Sequence, residues 1–350
     1  MPLPKTFVKD FHDEESCARM EYRPFGKTGL EVSVISLGGG TFSHLYGDID
    51  EKEAIATIRQ ALKSGINYLD TAPFYGQGKS EEIYGKALKG IPREAYYIAT
   101  KIGRYELEPK NMFDFSAKKT RESVEKSLKL LGLDYVDVIQ IHDIEFAPNL
   151  DIVLNETLPE VEAIVKEGKA KFIGVTGYPL KTLKEFILAA PNRLDMVLSY
   201  ARHTLFDKSF TEYLPFFDEQ NLGIVCASGH GLGLLTNDGP QEWHPGLQDV
   251  KDLCKKAASL CKDANIDLAK LAMYHFTSLE GPSTFLSGMR TRKQLDTNLA
   301  AFADGLNKKE QEMLKQLKET VFTTSLNWEG GEVERYWAEM KKKKQQNSKA

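Results

Sequence analysis

Short apolar runs alternate with helix-like segments along nearly the whole chain, and this alternation constrains the fold more than any other feature. The runs fall at residues 34–37, 67–69, 97–100, 136–141, 172–175, 196–200, 224–227 and 284–287. Segments with apolar residues at three- and four-residue spacing lie between them, at 51–63, 80–89, 117–131, 158–167 and 291–302. The first of these opens on acidic residues, which suits a helix N-terminus electrostatically. Strand–helix alternation implies parallel strands joined by right-handed crossovers. Eight candidate strands in one pass favour a closed (β/α)8 barrel of the TIM type over an open doubly wound sheet, which is the competing architecture. The turn after the first strand reads LGGGTF rather than GxGxxG, so the dinucleotide fingerprint of the open sheet is missing.

Both ends lie outside the repeat. Residues 1–20 read as an extension of no clear structure, and 21–325 as the barrel domain. The barrel is preceded by a capping hairpin in EYRPFGKTGLEVSV, two short runs around a Gly-containing turn. Residues 308–340 read as further helix, and 326–350 as a helical, basic tail. Its end, KKKKQQNSKA, has hardly an apolar residue and is expected to fray; attraction to an anionic surface is the alternative reading.

Composition limits the function classes. With 350 residues, 41% hydrophobic content and a net charge of −4, the chain resembles an ordinary globular protein and has no basic face for nucleic acid. Cys17, Cys226, Cys254 and Cys261 form no CxxC pair, so free thiols are expected rather than a disulfide framework or a zinc site. The N-terminus has no signal-like apolar run, and no window reaches the roughly 18 apolar residues of a membrane helix. A cytoplasmic monomer or small homo-oligomer is expected, with neither nucleic-acid nor membrane partners.

Chemistry in such a barrel sits at the C-terminal ends of the strands. There the sequence places Asp70 and Tyr75 in LDTAPFYG, Lys101 in ATKIG and His142 in IQIHD. Taken singly, each has an ordinary structural reading: a strand cap, a loop aromatic, an ion pair, a core histidine. Together they suit reduction of a carbonyl by a nicotinamide hydride. A tyrosine with an ordinary pKa of about 10 needs help to exchange protons at neutral pH. A lysine cation stabilises the phenolate, an aspartate orients the lysine, and a histidine hydrogen-bonds the carbonyl oxygen. A metal-dependent barrel hydrolase is the weaker alternative, because His142 and Asp143 are adjacent and no further histidine cluster joins them.

YLDTAPFYG, ATKIG and IQIHD resemble the signature segments of the aldo-keto reductase superfamily over roughly residues 21–325. LSYARHTLFD and GLLTNDGPQEWHPG resemble its L-galactose dehydrogenase-like branch. The resemblance implies a catalytic tetrad of Asp70, Tyr75, Lys101 and His142 acting on a small carbonyl or sugar substrate, with NAD or NADP as cofactor. It implies nucleotide contacts at Gly40, Thr41 and Asp70, at Thr176 and Gly177, and at Ser199. It extends them to Ser228, Gly229 and Gly231, and to Gly288, Met289, Arg290, Gln294 and Asn298. Gly177 departs from the family's asparagine, Ser228–Gly229–His230 from Ser-Pro-Leu, and Ala227 from an aromatic that stacks on nicotinamide. Gly288 and Gln294 replace cations of NADP-using relatives, and the branch is associated with NAD, so NAD is favoured. Phe42, Tyr105 and Trp243, with Phe74, are candidates for the substrate wall, and His44 or His203 for a polar contact. A nucleotide-sensing regulatory subunit of a channel-type partner is the alternative function within the same superfamily.

Overall fold

The computed structural model describes residues 2–347. A two-stranded hairpin, β1 (Tyr22–Pro24) and β2 (Glu31–Ser33), precedes eight parallel strands closed into a barrel. These are β3 (Ile35–Gly38), β4 (Tyr68–Asp70), β5 (Tyr97–Ile102), β6 (Val136–Ile141), β7 (Ala170–Gly177), β8 (Met196–Tyr200), β9 (Gly223–Ala227) and β10 (Thr284–Gly288). Phe285 pairs with Ile35 and Gly288 with Gly38, which closes the ring between last and first strand. The strands therefore lie within a few residues of their apolar runs, and the closed barrel replaces the open sheet.

Buried β-branched residues explain the strands, since both faces of a barrel strand are covered. β6 is buried along its whole length, with Val136, Val138, Ile139 and Ile141 facing interior and helices in turn. Capping fixes the helices. Asp50 accepts from the Glu53 N–H, Ser116 from Lys119 and Thr291 from Gln294, each satisfying a free first-turn donor. The helix Gln248–Asp263 buries Val250, Cys254, Ala257, Ala258 and Cys261 on one stripe, so the two cysteines are core residues. All four cysteines are buried free thiols.

The hairpin plugs the N-terminal mouth. Phe25 is fully buried, 5.3 Å from the Tyr68 ring, among Val32, Ala99, Val138 and Val225 inside the barrel. The chain ends are more ordered than their composition suggests. In the extension, Thr6 is buried and accepts from Asn67 Nδ2 at 3.0 Å, while the helix Glu14–Arg19 buries Cys17. The tail is helical over Gly331–Asn347 and lies across the C-terminal mouth. Trp328 stacks on Tyr178 at 4.8 Å, and Tyr336 packs edge-on against Phe113 and Phe146. Where fraying was expected, residues 341–347 continue the helix, with Lys341 and Lys342 exposed; residues 348–350 lie outside the described residues. Among the described residues no helix is long and apolar enough to cross a membrane.

Candidate active site

Parallel strands end together, so β4, β5 and β6 deliver Asp70, Lys101 and His142 to one end of the barrel. Asp70 and Lys101 are almost wholly buried and form a very short ion pair. Lys101 Nζ also donates to the Thr71 carbonyl at 2.9 Å, and Gln140 Nε2 donates to the other Asp70 oxygen at 2.6 Å. Every strong acceptor on the aspartate is thus engaged, as a buried ion pair requires. Gln140 did not stand out in the sequence, although strand alternation puts it on the same face as His142, two residues on.

Tyr75 reaches this pair from the loop after β4. Its N–H closes a turn on the Ala72 carbonyl, and Ser80 Oγ holds the loop to the Gly39 carbonyl at 2.9 Å. Lys101 Nζ sits 5.0 Å from the Tyr75 ring centroid. The His142 ring stands 5.9 Å away at 88° to the tyrosine. Gly40 faces the phenol, where an added Cβ would lie 3.8 Å from the ring. Burial pushes the phenol well above its ordinary value, with Asp70 and Asp143 adding to the rise and Arg104 opposing it. The phenol is therefore held protonated, poised to act as an acid.

His142 is kept neutral. Burial lowers its pKa to about 3 against the pull of Asp143, so it presents an uncharged imidazole at working pH. Its Nδ1 has no hydrogen-bond partner. His203, His244 and His275 are also buried, and desolvation lowers them to about 4, about 4 and about 3. An unfolded histidine takes up its proton near 6.5, whereas these folded ones stay neutral to much lower pH. Stability is therefore complete above pH 6.5 and falls as the pH drops below it. Each histidine contributes a slope of about 1.4 kcal/mol per pH unit. Urea unfolding at pH 7.5 and pH 5 should show this as a steep loss; equal stability at the two pH values would contradict it.

The remaining predicted positions divide into those that rim the site and those committed to the fold. Thr41 Oγ1 is buried without a partner at the end of the first strand, against Gly288, where a Cβ would come within 2.5 Å of Thr41. Thr176 Oγ1 is engaged by Asp143, whose N–H donates to it at 3.1 Å. Ser199 Oγ donates weakly to the Tyr178 carbonyl. At Gly177 a Cβ would sit 2.8 Å from Glu145 Oε2, itself buried and unpartnered, and 3.3 Å from Leu183, so an asparagine there requires the Glu145 side chain to shift. Gly229 is equally constrained, with Phe276 filling the space of any side chain.

Other positions take structural roles. The N–H groups of Ser228, Gly231 and Gly233 close onto backbone carbonyls and are not free for a phosphate. His230 is half-buried, its Nε2 3.1 Å from the Ala269 carbonyl. Met289 is fully buried in the core. Gln294 caps the Arg290 N–H, and Asn298 donates to Ser287 Oγ at 3.3 Å. The candidate substrate-wall aromatics also have packing partners. Phe42 is fully buried against Tyr84, and the Tyr105 hydroxyl accepts the Gly103 N–H. Only Trp243 is exposed, on the rim, its indole N–H donating to the Leu45 carbonyl and its ring against Tyr46. His203 is buried 4.9 Å from His275. Phe74 remains beside Tyr75, 6.4 Å from His142.

Orphaned polar atoms at Thr41, His142 and Glu145, with glycines where strands meet the mouth, fit a nicotinamide nucleotide lying along this end of the barrel. Residues 34–319 match the aldo/keto reductase family. The chain is 37% identical to L-galactose dehydrogenase of Arabidopsis thaliana over 321 residues, 89% of this chain and 98% of that one. It is 30% identical to D-arabinose 1-dehydrogenase of Saccharomyces cerevisiae over 324 residues, 86% of this chain and 94% of that one. Among solved structures, the holo form of an aldo-keto reductase from Bacillus halodurans superposes with a TM-score of 0.68 at 27% identity, covering 85% of this chain and 96% of that one. The chain belongs to the aldo/keto reductase family and is an oxidoreductase of that family.

Proposed function

We propose that the protein oxidises the C1 hydroxyl of a cyclic aldose to the lactone, and reduces small aldehydes in the reverse sense. The observation that carries this reading is the buried Lys101–Asp70 pair beneath Tyr75, with neutral His142 perpendicular to the phenol. The two relatives named for aldose 1-oxidation support the substrate class.

A nicotinamide nucleotide held at this mouth would accept or supply the hydride. The chain's own residues handle the proton and the charge. In reduction, Tyr75 Oη donates its proton to the carbonyl oxygen as negative charge develops there. Lys101, fixed by Asp70 and Gln140, stabilises the phenolate left behind. His142 offers a neutral hydrogen bond to the same oxygen and so contributes to stabilising it without titrating. In oxidation the phenolate takes the C1 hydroxyl proton by the same route.

NAD is the preferred cofactor in this reading. Recognition of a 2′-phosphate needs a fixed cation with donors to spare. Arg290 is engaged by the Tyr46 carbonyl, and Arg292 is paired with Glu53 at 2.9 Å. The test is a panel of aldoses and simple aldehydes assayed with NAD, NADH, NADP and NADPH. At least a tenfold higher kcat/KM with the non-phosphorylated nucleotides is expected, about 1.4 kcal/mol. A preference for the phosphorylated pair would overturn the NAD assignment, and inactivity toward every aldose would overturn the substrate class.

A further inference from the structure

Arg104 stands just beyond β5, at the lip of the site, and none of the roles above uses it. Its guanidinium lies 3.9 Å over the Phe74 ring, directly beside Tyr75. Nη1 donates to Asp143 Oδ2 at 2.7 Å, while Nε is buried without an acceptor. A merely structural arginine at this depth would be expected to have its donors satisfied, because an unpaired buried donor is costly. Asp143 follows His142, its carboxylate 3.5 Å from His142 Nε2, and adopts a left-handed backbone at φ 52°. Asp adopts that conformation more readily than most residues other than glycine.

A third group arrives from the far end of the chain. Glu332 lies in the first turn of Gly331–Asn347, and that helix is pinned over the mouth by Trp328 on Tyr178, Tyr336 on Phe113 and Phe146, and Arg202 to Glu329 at 2.6 Å. Glu332 stands one turn before Tyr336 on the same helix face. The Phe113 and Phe146 rings that Tyr336 packs on also lie 5.3 and 5.7 Å from the Arg104 guanidinium, which brings Glu332 to the Arg104 side of the mouth.

We propose that Arg104, Asp143 and Glu332 form a hydroxyl-recognition cluster that selects polyhydroxylated substrates over plain aldehydes. The assignment rests on the aldose reading above. A sugar carries oxygens that accept and hydroxyls that donate on neighbouring carbons. The planar Arg104 cation and the Asp143 and Glu332 carboxylates offer both, and the Phe74 and Tyr75 rings would flank the carbon skeleton. A plain aldehyde would leave the buried Arg104 Nε without an acceptor, which is how a polar site rejects an analogue lacking hydroxyls. The acceptor in Glu332 ties selectivity to the C-terminal helix.

The test compares kcat/KM for L-galactose and D-arabinose oxidation with that for butanal reduction in wild type, Arg104→Lys and Glu332→Gln. Arg104→Lys keeps the charge facing Asp143 and Tyr75 and removes the planar fork. It should lower aldose kcat/KM about 30-fold, mainly through KM, and leave butanal within about threefold. Glu332→Gln, on the rim and less disruptive to folding, should lower aldose kcat/KM about fivefold with butanal unchanged. Nucleotide binding by calorimetry confirms that each variant is folded. A parallel fall for butanal in folded protein, or an unchanged aldose kcat/KM in both variants, would overturn the cluster. Wild type that reduces butanal but oxidises no aldose would overturn the aldose reading itself, before any variant is compared.

Discussion

Replacing Tyr75 by phenylalanine is expected to lower kcat about a thousandfold or more, while nicotinamide-nucleotide affinity changes less than about twofold. The substitution removes one hydroxyl and nothing else. The ring keeps its place against His142 and Gly40, so the site's shape and the Asp70–Lys101 pair survive. The proton then has no donor, because burial keeps His142 neutral and the Lys101 ammonium is bound to Asp70 and the Thr71 carbonyl. Because an interaction made mainly in the transition state is lost, kcat and kcat/KM should fall together. Turnover within about tenfold of wild type would remove Tyr75 from the proton-transfer role.

Lys101→Met should damage both stability and rate. It leaves Asp70 as a buried anion held by Gln140 alone, and breaking one partner of a buried pair costs about 3–5 kcal/mol. It also removes the only cation beside the Tyr75 ring apart from Arg104, among the described residues, so turnover should fall by about 100-fold or more. The double variant Asp70→Asn/Lys101→Met separates the two effects. With both charges gone, much of the stability should return, because the lone buried anion is no longer present. Activity should stay lost. Denaturant unfolding and steady-state kinetics on the three proteins check this. A double variant no more stable than the single one would contradict the ion-pair account, and one that regains turnover would contradict the role of Lys101.

The barrel is legible in the sequence because each strand is a short β-branched run bounded by turn residues, a local signal needing no tertiary information. Asp70, Lys101 and His142 are legible for a related reason: a strand's last residues must lie at the mouth, whichever strands neighbour it. Gln140 was available from the same alternation, once Asp70 was seen to need a second donor. Phe42, Tyr105 and Met289 were not legible as fold residues. Their type suits either a wall or a core, and only packing against Tyr84, Gly103 and the core decides it. Gly177 shows the same limit. The missing asparagine is visible in the sequence, but its cause, the Glu145 carboxyl in that space, comes from a different strand end. The tail shows it most clearly. The lysine run reads as solvated, and Lys341 and Lys342 are exposed, but Trp328 and Tyr336 dock the segment before it across the mouth, a contact far removed along the chain that no local pattern encodes.

The central claim is hydride transfer between an aldose and a nicotinamide nucleotide at the Tyr75 end of the barrel. Its most direct measurement uses an aldose deuterated at C1, incubated with NAD and the wild-type protein, with the isotope followed by mass spectrometry and NMR. The account predicts that deuterium appears at C4 of the reduced nicotinamide in proportion to the lactone formed, and that Tyr75→Phe abolishes both signals together. Lactone formed without isotope in the nucleotide, or no nucleotide reduction with any aldose, would contradict it.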